Sequence, residues 1–545
     1  MTHEPTCGEV IALTLYEAGI REVFGHPGGE ILGLIDALES RGIRFILTGH
    51  EATAAFMAAT VGRITGRPGI CITTLGPGAC NAVLGVGTSL LDRDPILAIS
   101  ARTPTYRANR NNKQNLPLVD LFTPITRLSI DLENLPTKDT VRDALSIASG
   151  PPQGPVFLAL PSDMVDMPAI KSNIPGKSIS EETTRLSNIN KTSALDLSLI
   201  MKRLNNAKKA IAVVGIALDA EKDSSRVREF LQTTGIPYIS TTQAKGIADE
   251  NGDRYLGTIA PAAGEGPIIE WLKQSDCVLG IGFDPVEISR LWYFEVPLQV
   301  IAKYPVDFGD YSPPTSCIGN VSELLDKISK DYKGESAWTC EEIADLKTRV
   351  DKIYHPPNTS GPKGVSPYHL ISMIQKVLPD DTIVTSDVGA HKNVMGQRWL
   401  APKPNTFLTS NGLSSMGYGV GAAMGAATLF PQKPVVAVTG DGAFSMMVHE
   451  LETINRTGIK PLIIVLRDAS LAVIKIAQKA RNLPNIGVDF APVDWSRVSE
   501  GFGISSETVE SLDETCKAIS AWLMNRDARV LIVNIDDNLY TGLKY

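Results

Sequence analysis

Short runs of Val, Ile and Leu alternate with longer helix-patterned segments along almost the whole 545-residue chain. That rhythm constrains the fold more than any other feature. A strand followed by a helix returns the chain to the same end of the sheet, so successive strands lie parallel and the helices cover both faces. The expectation is an α/β protein with three doubly wound parallel-sheet domains. Strand candidates in the first block are Phe45–Thr48, Gly69–Thr74, Ile96–Ser100 and Val156–Leu160. The second block offers Ala210–Val214, Tyr238–Ser240, Cys277–Ile281 and Gln299–Ala302, and the third Thr382–Ser386, Pro434–Thr439, Leu462–Leu466 and Val530–Ile535. At about 100–200 residues per domain, three domains fit the length. Polar, Pro- and Gly-bearing stretches at 171–185 and 350–365 read as linkers. The predicted domains are 1–168, 187–335 and 362–545.

A net charge of −8 leaves no basic surplus to neutralise phosphates, which argues against nucleic acid or an anionic membrane as partner. Apolar stretches such as 208–218 are strand-length, too short to span a bilayer. The seven cysteines are scattered without a C-x-x-C, as in a reducing compartment with neither a disulfide framework nor a zinc site. The first ten residues carry no basic or apolar leader pattern. These features together suggest a cytoplasmic metabolic enzyme.

Chemistry in such sheets collects at turns after strand C-termini. The most informative segment is VVAVTGDGAFSMMVHELETINRTGIKPLIIVLRDAS (435–470). It reads as strand, Gly440-Asp441-Gly442, one amphipathic helix, strand, then Arg467-Asp468. The glycines let a backbone pass close to a ligand, and the helix start beyond Asp441 favours an anion. Adjacent parallel strands would set Asp441 and Asp468 side by side. Two carboxylates, a diphosphate and water make a six-oxygen shell for Mg²⁺. A lone GDG is more often a tight turn with an exposed Asp, and the 24 residues between Gly442 and Arg467 are what raise the metal reading. SDVGAHK (386–392) follows another strand, and NGLSSMGYGVGAAMGAA (411–427) opens a small-residue helix.

In the first block, FGHPGGEILGLIDAL (24–38) reads strand, Gly-rich turn, helix. FILTGHEATAAFMAATVGRITGRPG (45–69) places Glu51 in the first turn of an Ala-rich helix, where the helix dipole alone would favour it. ITTLGPGACNAVLGV (72–86) adds a Gly-Pro-Gly turn.

These motifs, in this order, resemble the thiamine-diphosphate (ThDP) enzymes, and among them the acetolactate synthase-like branch. The resemblance covers nearly the whole chain and is weakest in the middle block. It implies a pyrimidine-binding first domain, a central domain and a diphosphate-binding third domain. It assigns Glu51, Gln114 and Gly28 to catalysis, with Gln114 in NKQNLPLVDLFTPITR (112–127). Cofactor binding falls to Pro27, Gly28, Glu51, Thr74, Asn81, Val388, Gly389, Ala390, His391, Ser414, Met416, Gly440, Gly442, Ala443 and Leu471. The metal falls to Asp441, Asp468 and the carbonyl of Ser470. The family carries a pair of asparagines where this chain has Arg467-Asp468, so Asp468 would replace a ligating Asn, and Arg467 is read as pairing with a neighbouring carboxylate. A Glu bonded to the cofactor's pyrimidine favours the tautomer that deprotonates the thiazolium, and it must hold a proton to do so. Burial is therefore expected to raise its pKa. His26 and His50 flank the same turns as hydrogen bonders.

The implied reaction is decarboxylation of a 2-oxo acid, pyruvate first, with carboligation to a second carbonyl. The alternative is a non-ligating decarboxylase or a carboligase of another 2-oxo acid. A non-catalytic cofactor-binding protein is disfavoured, because it would not need Glu51. Anabolic relatives carry a Trp shortly after the second metal ligand, where LAVIKIAQKARN (471–482) has Ala477. GIGFDPVEISR (280–290) looks like the FAD-free forms, which leaves FAD as the lesser alternative. The resemblance also implies a homodimer or homotetramer with active sites at the interface.

Overall fold

A computed structural model describes residues 4–108, 113–171, 194–259, 265–288, 296–308 and 315–543. The chain divides into two compact units, one holding residues 1–189, 424–430 and 449–459, the other the remainder.

The first unit contains a six-stranded sheet of β1 (Glu22–His26), β2 (Arg44–Leu47), β3 (Gly69–Thr73), β4 (Ile96–Arg102), β5 (Leu128–Asp131) and β6 (Pro155–Pro161), in the order β2-β1-β3-β4-β6-β5. Every pairing is parallel. Strands β3, β4 and β6 are buried along their whole length. Coverage of both faces explains why they read as unbroken apolar runs rather than alternating ones. The helix Glu51–Thr65 presses against the helix Pro77–Asp92 so closely that a side chain at Gly85 would collide with Ala55. Small residues there allow the approach, and burial of the apolar side chains stabilises it by about 25 cal/mol per Å² removed from water.

The second unit holds two sheets. One comprises β7 (Ala210–Val214), β8 (Tyr238–Thr241), β9 (Tyr255–Ile259), β10 (Cys277–Ile281), β11 (Leu298–Ala302) and β12 (Thr315–Ile318), ordered β12-β11-β10-β7-β8-β9. Counted from its other edge this is the 3-2-1-4-5-6 order of doubly wound nucleotide-type sheets. After a small hairpin, β13 (Ser360–Gly361) and β14 (Gly364–Val365), comes the last sheet. Its strands are β15 (Ile383–Ser386), β16 (Phe407–Thr409), β17 (Val435–Gly440), β18 (Leu462–Arg467), β19 (Ser505–Val509) and β20 (Arg529–Asn534), ordered β16-β15-β17-β18-β20-β19. Both sheets are parallel throughout. Three parallel α/β sheets are what the sequence rhythm demands.

Three expectations change. The segment 350–365 is not a free linker. Its first residues complete the helix Cys340–Tyr354, begun by a Thr339/Glu342 capping box, and its last form the hairpin. Tyr354 is fully buried against Tyr368, with ring centroids 5.9 Å apart. The single amphipathic helix expected after Gly442 is two helices, Asp441–Met447 and Glu450–Thr457. The small-residue helix begins at Tyr418, not in the turn before it. The other expected linker, 171–185, lies outside the described residues apart from Lys171.

Candidate active site

In the first unit, the turns after β1, β2 and β3 converge. Glu51 is the first residue of its helix, behind the N-cap His50, whose ring nitrogen accepts from the Ala52 N–H at 3.1 Å. Its carboxylate is buried, 6% exposed, and accepts from Asn81 Nδ2 at 2.9 Å. A Cβ on Gly78 would stand 3.2 Å from Glu51 Oε1, so the Gly-Pro-Gly turn lies directly against the carboxylate. The Gly28 turn meets the end of β3: any side chain there would collide with Thr74, whose hydroxyl donates to Glu30 Oε2 at 2.8 Å. Gln114 holds a left-handed backbone, φ 61°, with its Cβ 3.0 Å from where a Cβ on Gly76 would sit. Gly28, Glu51, Thr74, Asn81 and Gln114 are thus brought together, with Pro27 half-buried next to them. His26 bonds the Thr48 carbonyl through Nδ1 at 2.8 Å.

Sequence reasoning missed Glu450. This fully buried residue opens the helix Glu450–Thr457. It accepts from the Gly49 and His50 N–H groups at 3.0 Å each and from Thr453 Oγ1 at 2.7 Å. Burial disfavours its charge, but hydrogen bonds from His449, Gly49, Thr453 and Thr53 outweigh it and hold the carboxyl below its usual range. Removing the acceptor would break two part-buried N–H bonds to a charged oxygen at once. Its partners lie 400 residues away in sequence, and nothing local signals them.

In the last sheet the turns after β15, β16 and β17 are tied by a second residue the sequence did not single out, Asp387. Its Oδ1 accepts from the Val388 and Gly417 N–H groups at 2.8 and 2.9 Å, and its Oδ2 from the Gly419 N–H at 3.1 Å and Thr439 Oγ1 at 3.3 Å. A Cβ on Gly419 would sit 2.7 Å from the Asp387 nitrogen, so only glycine permits this approach. Burial still pushes Asp387 up to about 6. Lys392, also buried, donates to the Ser410 carbonyl at 2.6 Å and to Ser414 Oγ at 3.0 Å, fixing the turn that carries Ser414 and Met416.

Val388, Gly389 and Ala390 lead into the helix Ala390–Arg398, and the His391 ring folds back over Gly389. The ring also reaches the Gly440 turn, 3.6 Å from where a Cβ on that glycine would sit. Burial lowers His391 to about 4, so the ring is neutral at pH 7. Its Nε2 is buried with no hydrogen-bond partner among the described residues.

Asp441 opens the helix after β17 and is 4% exposed; its Oδ2 accepts from the Ala469 N–H at 2.8 Å. Gly440 pairs with Leu466 across the adjacent strands, which sets Asp441 beside Asp468 as expected. Asp468 Oδ1 accepts from the Ser470 N–H and hydroxyl at 2.9 and 3.1 Å. Burial and the neighbouring Asp441 push Asp468 up to about 7. A buried carboxylate that raises its part-buried neighbour fits a divalent cation, which would reverse that repulsion. Among the described residues no group of three or more His, Cys, Asp or Glu could hold a metal. The candidate is therefore this pair with backbone oxygen. Leu471 packs on Gly442, 3.3 Å from where a Cβ on that glycine would sit, and Ala443 is buried beneath the turn.

Arg467 forms no direct salt bridge among the described residues. It donates to Asn534 Oδ1 at 2.6 Å and approaches the Val493 carbonyl at 3.5 Å, in register with Asn534 on β20. Its charge still acts on the neighbouring carboxylate, drawing Asp441 downward against burial.

Among the described residues no helix is long and apolar enough to cross a membrane. Three family models match the chain: the thiamine pyrophosphate enzyme N-terminal TPP binding domain over residues 5–121, the central domain over 197–328, and the C-terminal TPP binding domain over 387–534. An acetolactate synthase of Bacillus subtilis (strain 168) is 29% identical, over 97% of this chain and 94% of its own. The catabolic acetolactate synthase of Raoultella terrigena is 26% identical, over 94% and 92%. The chloroplastic acetolactate synthase 2 of Nicotiana tabacum is 30% identical, over 86% and 72%.

Proposed function

We propose, because the chain belongs to the acetolactate synthase-like branch of the thiamine pyrophosphate enzymes, that it decarboxylates a 2-oxo acid, pyruvate before others, and joins the remaining acyl unit to a second carbonyl. The observation that carries this is Glu51, a buried carboxylate held by Asn81 at the meeting of three strand-end turns. A protein that only bound the cofactor would have no use for it.

Bound thiamine diphosphate supplies the electron sink for decarboxylation. On this reading residues 1–168 take its pyrimidine end, 187–335 form a central domain and 362–545 take its diphosphate end. Glu51 holds a proton at its carboxyl for the pyrimidine ring, and Asn81 orients it. Glu450 fixes the backbone from which Glu51 projects. Pro27, Gly28, Thr74 and Gln114 border the reacting centre. Asp441, Asp468 and the Ser470 carbonyl hold Mg²⁺. Val388, Gly389, Ala390, His391, Gly440, Gly442, Ala443 and Leu471 surround the diphosphate, while Ser414 and Met416 support the aminopyrimidine. The working assembly is a cytoplasmic homodimer or homotetramer, with FAD unnecessary.

Ala477 favours keeping a second reading. A small residue in the helix after Asp468, where anabolic relatives carry Trp, reshapes the acceptor side. Release of the aldehyde, or use of another 2-oxo acid, is that alternative. Product analysis decides. Purified protein with pyruvate, ThDP and Mg²⁺, and no FAD, should yield acetolactate. Unconsumed pyruvate with CO₂ release from another 2-oxo acid would move the substrate and keep the mechanism. No turnover of any 2-oxo acid would overturn both readings.

A further inference from the structure

The turn after β1 carries a further carboxylate that the proposed reaction does not use. Glu30 follows Gly28 in the short 3-10 segment Gly29–Ile31. Its Oε2 accepts from the Thr74 hydroxyl at 2.8 Å, which ties it to the end of β3. A Cβ on Gly28 would stand 2.7 Å from that same oxygen. Thr74 also reaches toward Glu51: a Cβ on Gly78 would meet Thr74 Cγ2 at 2.8 Å and Glu51 Oε1 at 3.2 Å. Glu30 and Glu51 are thus neighbours across one threonine side chain, at the strand ends where sheets of this kind bind ligands.

Glu30 and Thr74 are both partly exposed, so a ligand on the turn meets the carboxylate. A hydroxyl is no counter-charge, and among the described residues no base forms a salt bridge with Glu30. A glutamine would hold the Thr74 hydroxyl as well, so the hydrogen bond does not require the charge. A fixed negative charge sorts the two substrates of a carboligase differently. The donor 2-oxo acid is an anion on entry, but its carboxylate leaves as CO₂, and the repulsion is relieved as that bond breaks. An acceptor 2-oxo acid keeps its carboxylate while the new bond forms and is repelled throughout. An uncharged acceptor meets no such penalty.

We propose, resting on the carboligase reading above, that Glu30 determines acceptor specificity and directs the acyl unit to an uncharged aldehyde in preference to a second 2-oxo acid. The donor's bond to its carboxylate breaks and CO₂ leaves. A new carbon–carbon bond joins the acyl carbon to the aldehyde carbon, and the aldehyde oxygen takes up one proton from solvent. The product is an uncharged α-hydroxy ketone, and no oxidant or reductant enters. With pyruvate alone, a second pyruvate is the only acceptor. The preference shows when an aldehyde competes.

The test gives the full chain, with ThDP and Mg²⁺, equimolar pyruvate and propanal, and quantifies 3-hydroxypentan-2-one against acetolactate. The ketone should dominate. Glu30→Gln should move the ratio toward acetolactate by about fivefold and lower the KM for pyruvate, whereas Glu30→Asp should keep the ketone in excess. A merely structural Glu30 would change both products alike. Acetolactate in excess from the unaltered protein, or the same ratio in Glu30→Gln, overturns the role of Glu30 and leaves the carboligase reading standing. Pyruvate unconsumed with and without propanal overturns that reading and this proposal with it. Should Glu30→Gln not fold, ionic strength decides in the unaltered protein. Added salt screens the repulsion and should move the ratio toward acetolactate. A ratio indifferent to salt overturns the proposal.

Discussion

The sheets of the first block and the last have the same strand order, second-first-third-fourth-sixth-fifth, yet their corresponding turns carry opposite chemistry. After the third strand, the first block has Gly76-Pro77-Gly78 and the last has Gly440-Asp441-Gly442. After the second strand, the first block places Glu51 at a helix start, whereas the last has the polar turn 410–416 held by Lys392. The turns of each sheet are also fastened by a buried acid outside the predicted site, Glu450, from late in the chain, on the backbone of the first block and Asp387 on that of the last. Topology decides where turns meet; the residue placed on each turn decides what can be held there. One block offers a lone carboxylate beside an amide, suited to a neutral ring. The other offers paired carboxylates beside a helix start, suited to a metal and an anion.

The comparison can be broken at the metal turn with the largest effect. Asp441→Ala should abolish the rise in thermal midpoint that ThDP with Mg²⁺ produces. An undiminished rise would place the metal elsewhere. In the other block, Glu51→Gln should leave that rise nearly intact while lowering turnover by about 10²–10⁴-fold, the range for a lost proton-transfer group. Normal turnover would end the division of labour between the two carboxylates. The smallest effect sharpens the pairing of Asp441 with Asp468. Asp468 is raised to about 7. A ligand must be ionised, so metal binding expels its proton, and affinity should weaken by about tenfold for each pH unit below 7. Mg²⁺ titrations between pH 6 and 8 should show that slope, and Asp468→Asn should flatten it. A slope unchanged in that variant would assign the proton to another group.

Much of the fold was legible because parallel strands covered on both faces are continuous apolar words. Ala210–Val214 and Cys277–Ile281 agree to the residue. The strands passed over lie mostly at sheet edges. Leu128–Asp131, Thr315–Ile318 and Ser505–Val509 each bury a single residue, Ile130, Cys317 and Val509, which leaves no pattern to read. Phe407–Thr409 is buried but has only three residues, and Gly257 interrupts Tyr255–Ile259. The site divides in the same way. Glu51 and Asp441 announce themselves through turns a few residues long. Glu450, Asp387 and Lys392 act on backbone far away in sequence, and the bonds that define them exist only after folding.

The helix Cys340–Tyr354 has a mechanical consequence. Ile343 and Leu346 belong to the core of the central sheet, and Tyr354 to that of the last. A flexible tether at 350–365 would have allowed those two sheets to swing. A fifteen-residue splint anchored at both ends does not. To change the angle between them, the chain would have to bend a capped helix or extract a tyrosine from close packing. The second unit therefore lacks the hinge its sequence advertises.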